Sequence, residues 1–173
     1  MLKKEKSLKQ LAIAITGPSG SGKTTLIEKI ARELIKVYKV AIIKHDPKDK
    51  AIFDNPTKDS GRFFQTGADV AVVSNRRTTL FKHQSSSLNE LATQLSPFDL
   101  LIVEGLKTWD LPRIAVFRNE IEESYLPYVL AVAVDSSISH EKLSKLDKVV
   151  LDLNNTKEII DYIFTIAKEI KGA

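Results

Sequence analysis

A chain of 173 residues, 43% hydrophobic and 28% charged, holds enough apolar material for one ordinary core. It has no cysteine, which excludes disulfide staples, thiolate metal centres and cysteine nucleophiles. The net charge of +4 is spread along the chain without a basic helix, and no apolar run approaches the ~18 residues of a membrane span, so neither nucleic acid nor membrane is an expected partner.

The opening segment, Met1–Gln10, is basic and lacks the apolar centre of a secretory leader, so cytoplasmic residence is the expectation. Leu11–Thr16 reads as a buried strand. It runs into Gly17-Pro18-Ser19-Gly20-Ser21-Gly22-Lys23-Thr24, which matches G-x-x-x-x-G-K-[ST] at every position. Glycines at 17, 20 and 22 let the backbone wrap closely enough for several N–H groups to face phosphate oxygens. The helix that follows adds the partial positive charge of its N-terminus. Lys23 is expected to reach the β- and γ-phosphates of a nucleoside triphosphate, and the Thr24 hydroxyl to ligate Mg2+. Thr25–Tyr38 carries Leu26, Ile27, Ile30, Ala31, Leu34, Ile35 and Tyr38 at steps of three and four, an amphipathic helix.

Val40–Lys44 is the second strand, and Lys44-His45-Asp46 close it where strand ends face a ligand crevice. Lys44 is a candidate for phosphate, His45 for positioning a partner and Asp46 for ordering magnesium or an attacking water, unless all three are surface charges opening a loop. Asp46–Lys58 reads as an exposed loop rich in proline, lysine and aspartate. Lys58-Asp59-Ser60-Gly61-Arg62 opens a helix, with Asp59 or Ser60 suited to its N-cap and Lys58 and Arg62 open to phosphate or substrate. Val70–Ser74, within the run Asp69–Ser74, and Arg76–His83 suit an antiparallel hairpin turning at Asn75-Arg76-Arg77 and projecting from a parallel sheet.

Leu88–Leu95 reads as a short helix. Leu100–Glu104 is an apolar strand ending in an acid, with Gly105 to turn sharply after it. Glu104 is therefore the candidate acidic partner that a phosphate loop needs for magnesium, while Asp99 stands at the strand's other end. Ile114–Phe117, Tyr128–Val134 and Val149–Leu153 are further strands, Glu141–Leu146 a short helix, and Asn155–Ile170 a longer one. Strands alternating with helices predict a single α/β domain over residues 1–173, mainly a parallel sheet with helices on both faces. Lys23, Asp46 and Glu104 are its candidate catalytic residues.

The phosphate loop, Lys44-His45, Asp54, Lys58-Asp59-Ser60, Arg62, Gly67-Ala68-Asp69 and Val103-Glu104-Gly105-Leu106-Lys107, in that order, resemble MobB, the molybdopterin-guanine dinucleotide biosynthesis adapter family. The resemblance covers about residues 11–118 and implies a three-layer P-loop NTPase fold of the SIMIBI class, binding GTP with magnesium. It also implies a homodimer with hairpin strands extending the sheet across the interface, weak GTPase activity, and work beside a MobA-like guanylyltransferase and molybdopterin. By position it assigns Gly20, Gly22, Lys23, Thr24 and Thr25 to phosphate and magnesium, Glu104 to the Walker-B-like acid, and Asp59 and Arg62 to the family's central motif. The chain departs from the family where Asp46-Pro47-Lys48-Asp49-Lys50 replaces a histidine-rich stretch and Thr57 replaces a glycine.

Guanine selection has no [NT]-K-x-D element: Ile159 stands where the aspartate of Thr156-Lys157-Glu158-Ile159 should be. Asp135, Asn154 and Asn155 are substitutes, or else turn and cap residues. A P-loop kinase of a small molecule or nucleoside is the competing reading. A metal-insertion GTPase is disfavoured by the missing cysteines and by His45, His83 and His140 standing far apart.

Overall fold

The computed structural model describes residues 9–51 and 55–170; Asp54 lies outside them. In chain order the elements are β1 (Leu11–Thr16), α1 (Lys23–Leu34), β2 (Val40–Lys44), α2 (Asp59–Gln65), β3 (Val70–Val73) and β4 (Thr78–Phe81). There follow α3 (Leu88–Leu95), β5 (Leu100–Glu104), β6 (Arg113–Phe117), a 3-10 turn (Glu123–Tyr128) and β7 (Ala131–Val134), then α4 (His140–Leu143), β8 (Val149–Asp152), α5 (Thr156–Ile166) and β9 (Lys168–Glu169). They form two compact units: the chain up to His45 and from Leu88 onward, and Asp46–Ser87. No helix among the described residues is long and apolar enough to cross a membrane.

The larger unit is built on a seven-stranded sheet in the order β2-β5-β1-β6-β7-β8, all parallel, with β9 antiparallel on β1. Burial follows position. The inner strands β5, β6 and β7 are buried almost throughout, while the edge strand β2 alternates, with Ala41 and Ile43 inside and Ile42 exposed. Continuous apolar runs are what a sheet covered on both faces demands.

Successive residues then feed opposite cores. Ile13, Ile15, Leu100, Ile102, Ile114 and Val116 pack with Leu26, Ile27 and Ile30 of α1 and Ile159 and Ile163 of α5. Ala12, Ala14, Leu101 and Val103 turn the other way, onto Ala92 of α3 and Phe98. Ala115, Phe117, Val132 and Val134 meet Ile138, with Tyr125, Leu126 and Leu143 partly buried against them. The two-residue period of a strand divides the layers.

In the smaller unit β3 and β4 pair antiparallel, Val70 opposite Phe81 and Val73 opposite Thr78. Ser74 closes the turn: its hydroxyl accepts from the N–H groups of Arg76 and Arg77 at 3.3 and 3.2 Å. Phe64 of α2 stacks on His83, with ring centroids 3.8 Å apart.

Several boundaries move from the sequence expectation. α1 begins at Lys23 rather than Thr25, directly after the left-handed Gly22, and stops at Leu34, whose carbonyl accepts from both Val37 and Tyr38. The run from Tyr128 divides because the 3-10 turn takes Tyr128, so β7 starts at Ala131. α5 ends at Ile166 rather than Ile170, since Ala167 turns extended and Lys168–Glu169 pair with β1.

Candidate functional site

The register of the central strands shapes the site. β1 meets β5 along Leu11–Ile15 but meets β6 only from Ala14 to Thr16, opposite Arg113 to Ala115. β6 is therefore slid toward the loop end, and Val116 and Phe117 continue beyond the last residue of β1 as a wall beside the glycine loop. Gly17 shows how close that wall is: a Cβ there would lie 2.3 Å from the Val116 carbonyl oxygen, and its φ of +135° suits glycine alone. Gly22, at φ +98°, caps α1 without any side-chain hydrogen bond, leaving the first-turn amides to the loop.

The loop bounds an open cavity of about 380 Å3 lined by Ser19, Gly20, Gly22, Lys23, Thr24 and Thr25, with Lys44, Glu104 and Arg118 at its sides. Gly17, Pro18 and Ser21 support it without lining it, and Ser21 is buried. Lys23 Nζ donates to the Pro18 carbonyl at 2.6 Å, folded over its own loop. Partial burial pulls this ammonium below the ordinary lysine range; Glu104 opposes, Lys44 adds to the depression and Glu122 opposes. The Thr24 hydroxyl donates to Glu104 Oε1 at 3.2 Å, so the expected metal-ligating hydroxyl and acid stand together.

Lys44 and Glu104 are register partners at the ends of β2 and β5. His45 donates its backbone N–H to the Glu104 carbonyl at 3.1 Å and packs beside Gly105, but does not line the cavity. Asp46 belongs to the smaller unit; its carboxylate accepts from the backbone N–H groups of Lys48, Lys50 and Ala51 and folds that loop. Asp59 is the first residue of α2 and Arg62 lies in its last turn; Lys58 takes the N-cap position with no side-chain cap bond.

Sequence reasoning passed over two arginines that bracket β6. Arg113 is 2% exposed and ties down the segment after Glu104, donating to the carbonyls of Gly105 at 3.0 Å, Trp109 at 2.8 Å and Lys107 at 3.5 Å. Burial pulls its guanidinium below the ordinary arginine range. Arg118, directly after β6, lines the cavity and pairs with Asp135 at the end of β7, Nε to Oδ2 at 3.1 Å. The rule that drew attention to Lys44 and Glu104, charge at the C-terminal end of a parallel strand, applies equally to Arg118. Lys107, in the segment that Arg113 ties down, sits with its ammonium 3.6 Å from the centre of the Tyr125 ring, a cation–π contact.

Two of the substitutes considered for guanine, Asp135 and Asn155, have other work here. Asp135 accepts from both the N–H and the hydroxyl of Ser137, which hold its carboxyl below the usual carboxylate range with Arg118 adding to the effect. Asn155 caps α5, accepting from Glu158 N at 3.2 Å.

The residues fit a polyphosphate with a divalent ion. A left-handed glycine at the start of α1, a lysine ammonium, and a hydroxyl beside a carboxylate supply amide, cationic and hard-oxygen donors in one cavity.

Comparison with known proteins gives the family and the fold. Residues 12–135 match the family model for molybdopterin guanine dinucleotide synthesis protein B. A molybdopterin-guanine dinucleotide biosynthesis adapter protein of Haemophilus influenzae is 34% identical over 171 residues, covering 93% of this chain and 92% of that protein. A crystal structure of molybdopterin-guanine biosynthesis protein B superposes with a TM-score of 0.67 at 24% identity, covering 90% of this chain and 99% of that one. A uridine kinase of Mycoplasma genitalium is 32% identical over 130 residues, spanning 66% of this chain and 61% of that protein.

Proposed function

Because this chain belongs to the molybdopterin guanine dinucleotide synthesis protein B family, we propose that it is a GTP-binding adapter assisting attachment of GMP to molybdopterin. It works beside a MobA-like guanylyltransferase, as a cytoplasmic homodimer, with one P-loop domain over residues 1–173 and Asp46–Ser87 as an insertion in it. The observation that carries the nucleotide part is the glycine-lined cavity in which Lys23, Thr24 and Glu104 converge.

In this reading the amides at the start of α1 donate to phosphate oxygens, and Lys23 exchanges the Pro18 carbonyl for a phosphate, a stronger partner for an ammonium. Thr24 and Glu104 hold magnesium, which when bound offsets the charge of the phosphates. Lys44 adds a second cation at the crevice edge. Slow hydrolysis fits the lining, which among the described residues has neither histidine nor glutamine to orient water and has Glu104 as its carboxylate, accepting from Thr24.

The test is Lys23→Ala. Calorimetry with GTP and magnesium should show binding in the parent and none in the variant at equal folded content; unchanged affinity in the variant would sink the assignment. The uridine-kinase likeness keeps a second reading open. Phosphate transfer from GTP or ATP to uridine without any partner protein would favour it; its absence, with guanylyltransferase stimulation present, favours the adapter.

A further inference from the structure

We propose that Arg118 is the nucleobase platform of the site, its guanidinium held flat so that a purine ring stacks on its open face; the assignment rests on the nucleotide reading above.

The ends of a nucleotide are assigned by the sheet. Thr24 and Glu104 mark the magnesium end, on the β5 side of β1. The cavity runs from there to Arg118, on the β6 side of β1. A triphosphate seated on the loop with its metal at Glu104 has its nucleoside leaving toward Arg118.

The guanidinium is already oriented. Its Cζ, Nη2 and Nε lie 3.3, 3.4 and 3.5 Å from where a Cβ on Gly22 would stand. Such near-equal distances to three bonded atoms require a face-on approach, so one face of the plane covers Gly22. Nε faces Asp135 at 3.1 Å, and Asp135 is itself held by the N–H and hydroxyl of Ser137. Ser137 in turn accepts from the N–H of Asn119, the residue after Arg118, at 2.7 Å. The loop thus closes on itself: side chain to carboxylate to hydroxyl to the neighbouring amide. With one face packed and the edge pinned, the second face of this half-exposed side chain is left for a ligand. Guanidinium planes stack on aromatic rings, and a base is the aromatic part of a nucleotide. Asp135, where a base-reading carboxylate would be sought, is occupied in holding the platform.

A stacking face reads ring area more than ring edges, so it contributes affinity without choosing between purines. Calorimetry of the full chain with magnesium and GTP, ATP or inorganic tripolyphosphate separates the possibilities. Arg118→Ala should weaken GTP and ATP alike by about tenfold while tripolyphosphate changes by less than about twofold. Arg118→Lys, which keeps the charge and loses the plane, should not restore the affinity. Equal loss for tripolyphosphate would mean a phosphate contact and overturn the platform, as would full rescue by lysine or no loss at all. Should Arg118→Ala melt early, Arg118→Lys carries the same comparison on its own. A parent chain that binds tripolyphosphate but gains nothing from a nucleoside overturns the assignment while sparing the phosphate loop; one that binds neither overturns the nucleotide reading itself.

Discussion

Replacing Arg113 with methionine leaves the aliphatic stem's packing volume and removes the fork that holds the segment after Glu104. The guanidinium makes two good bonds, to Gly105 at 3.0 Å and Trp109 at 2.8 Å, and a third to Lys107 at the 3.5 Å limit. Hydrogen bonds to a charged group contribute about 1.5–3 kcal/mol each, so the two good ones give roughly 3–6 kcal/mol before offsets. Desolvating a guanidinium with no carboxylate opposite it among the described residues works against this, and methionine avoids that penalty. A net loss of about 2–4 kcal/mol is expected. Urea denaturation should show a lower midpoint with an unchanged slope, the mark of lost stability without a change in exposed surface. The same variant should weaken GTP binding more with magnesium than with chelator, because the freed segment begins at the residue after Glu104. A stability loss under about 0.5 kcal/mol would refute the reasoning and show that the segment is held by other means.

Gly17→Ala should weaken GTP binding severely and lower the melting temperature, since its Cβ would stand 2.3 Å from the Val116 oxygen at a φ of +135°; an unaltered melting curve would count against the wall formed by β6. Asn155→Ala should cost about 1 kcal/mol in denaturant as a lost helix cap. It should leave GTP affinity unchanged; a selective loss of GTP over ATP affinity would instead make it a base reader. Asp135 has a folded pKa below its unfolded 3.8, so its contribution is fully present above that value and disappears as pH falls through the folded pKa. Asp135→Asn should therefore flatten the loss of stability on acidification below about pH 4, measured by thermal melts across pH, and a profile parallel to the parent's would contradict the sign.

The phosphate loop was legible because its function fixes residue type and spacing together: Gly17, Gly22 and Lys23 leave few alternatives in sequence. The parallel sheet was legible from runs such as Leu100–Val103, where burial on both faces removes alternation. Glu104 followed from the strand that ends in it, and stands within reach of Thr24. Arg113 escaped because its meaning lies in the offset between β1 and β6, and register is a property of pairs of strands rather than of either one; Arg118, at the end of its strand, was open to the same rule as Glu104. The end of α5 escaped for a related reason. Ala167 and Ile170 continue a helical stripe, yet the stretch between them is taken by an edge of β1 that periodicity cannot reveal.

That edge exists because of the same offset. By rising past β1 to flank Gly17, β6 leaves Leu11 and Ala12 bare at the foot of the sheet, and β9 fills the gap with Lys168 opposite Ala12 and Glu169 opposite Leu11. Lys168 also grips Asp110, in the stretch that Arg113 fastens, and Lys9 pairs with Glu169. The short last strand is thus a keystone: cutting the chain before Lys168 would open a sticky seam in the middle of the sheet, and the first symptom should be self-association rather than loss of nucleotide.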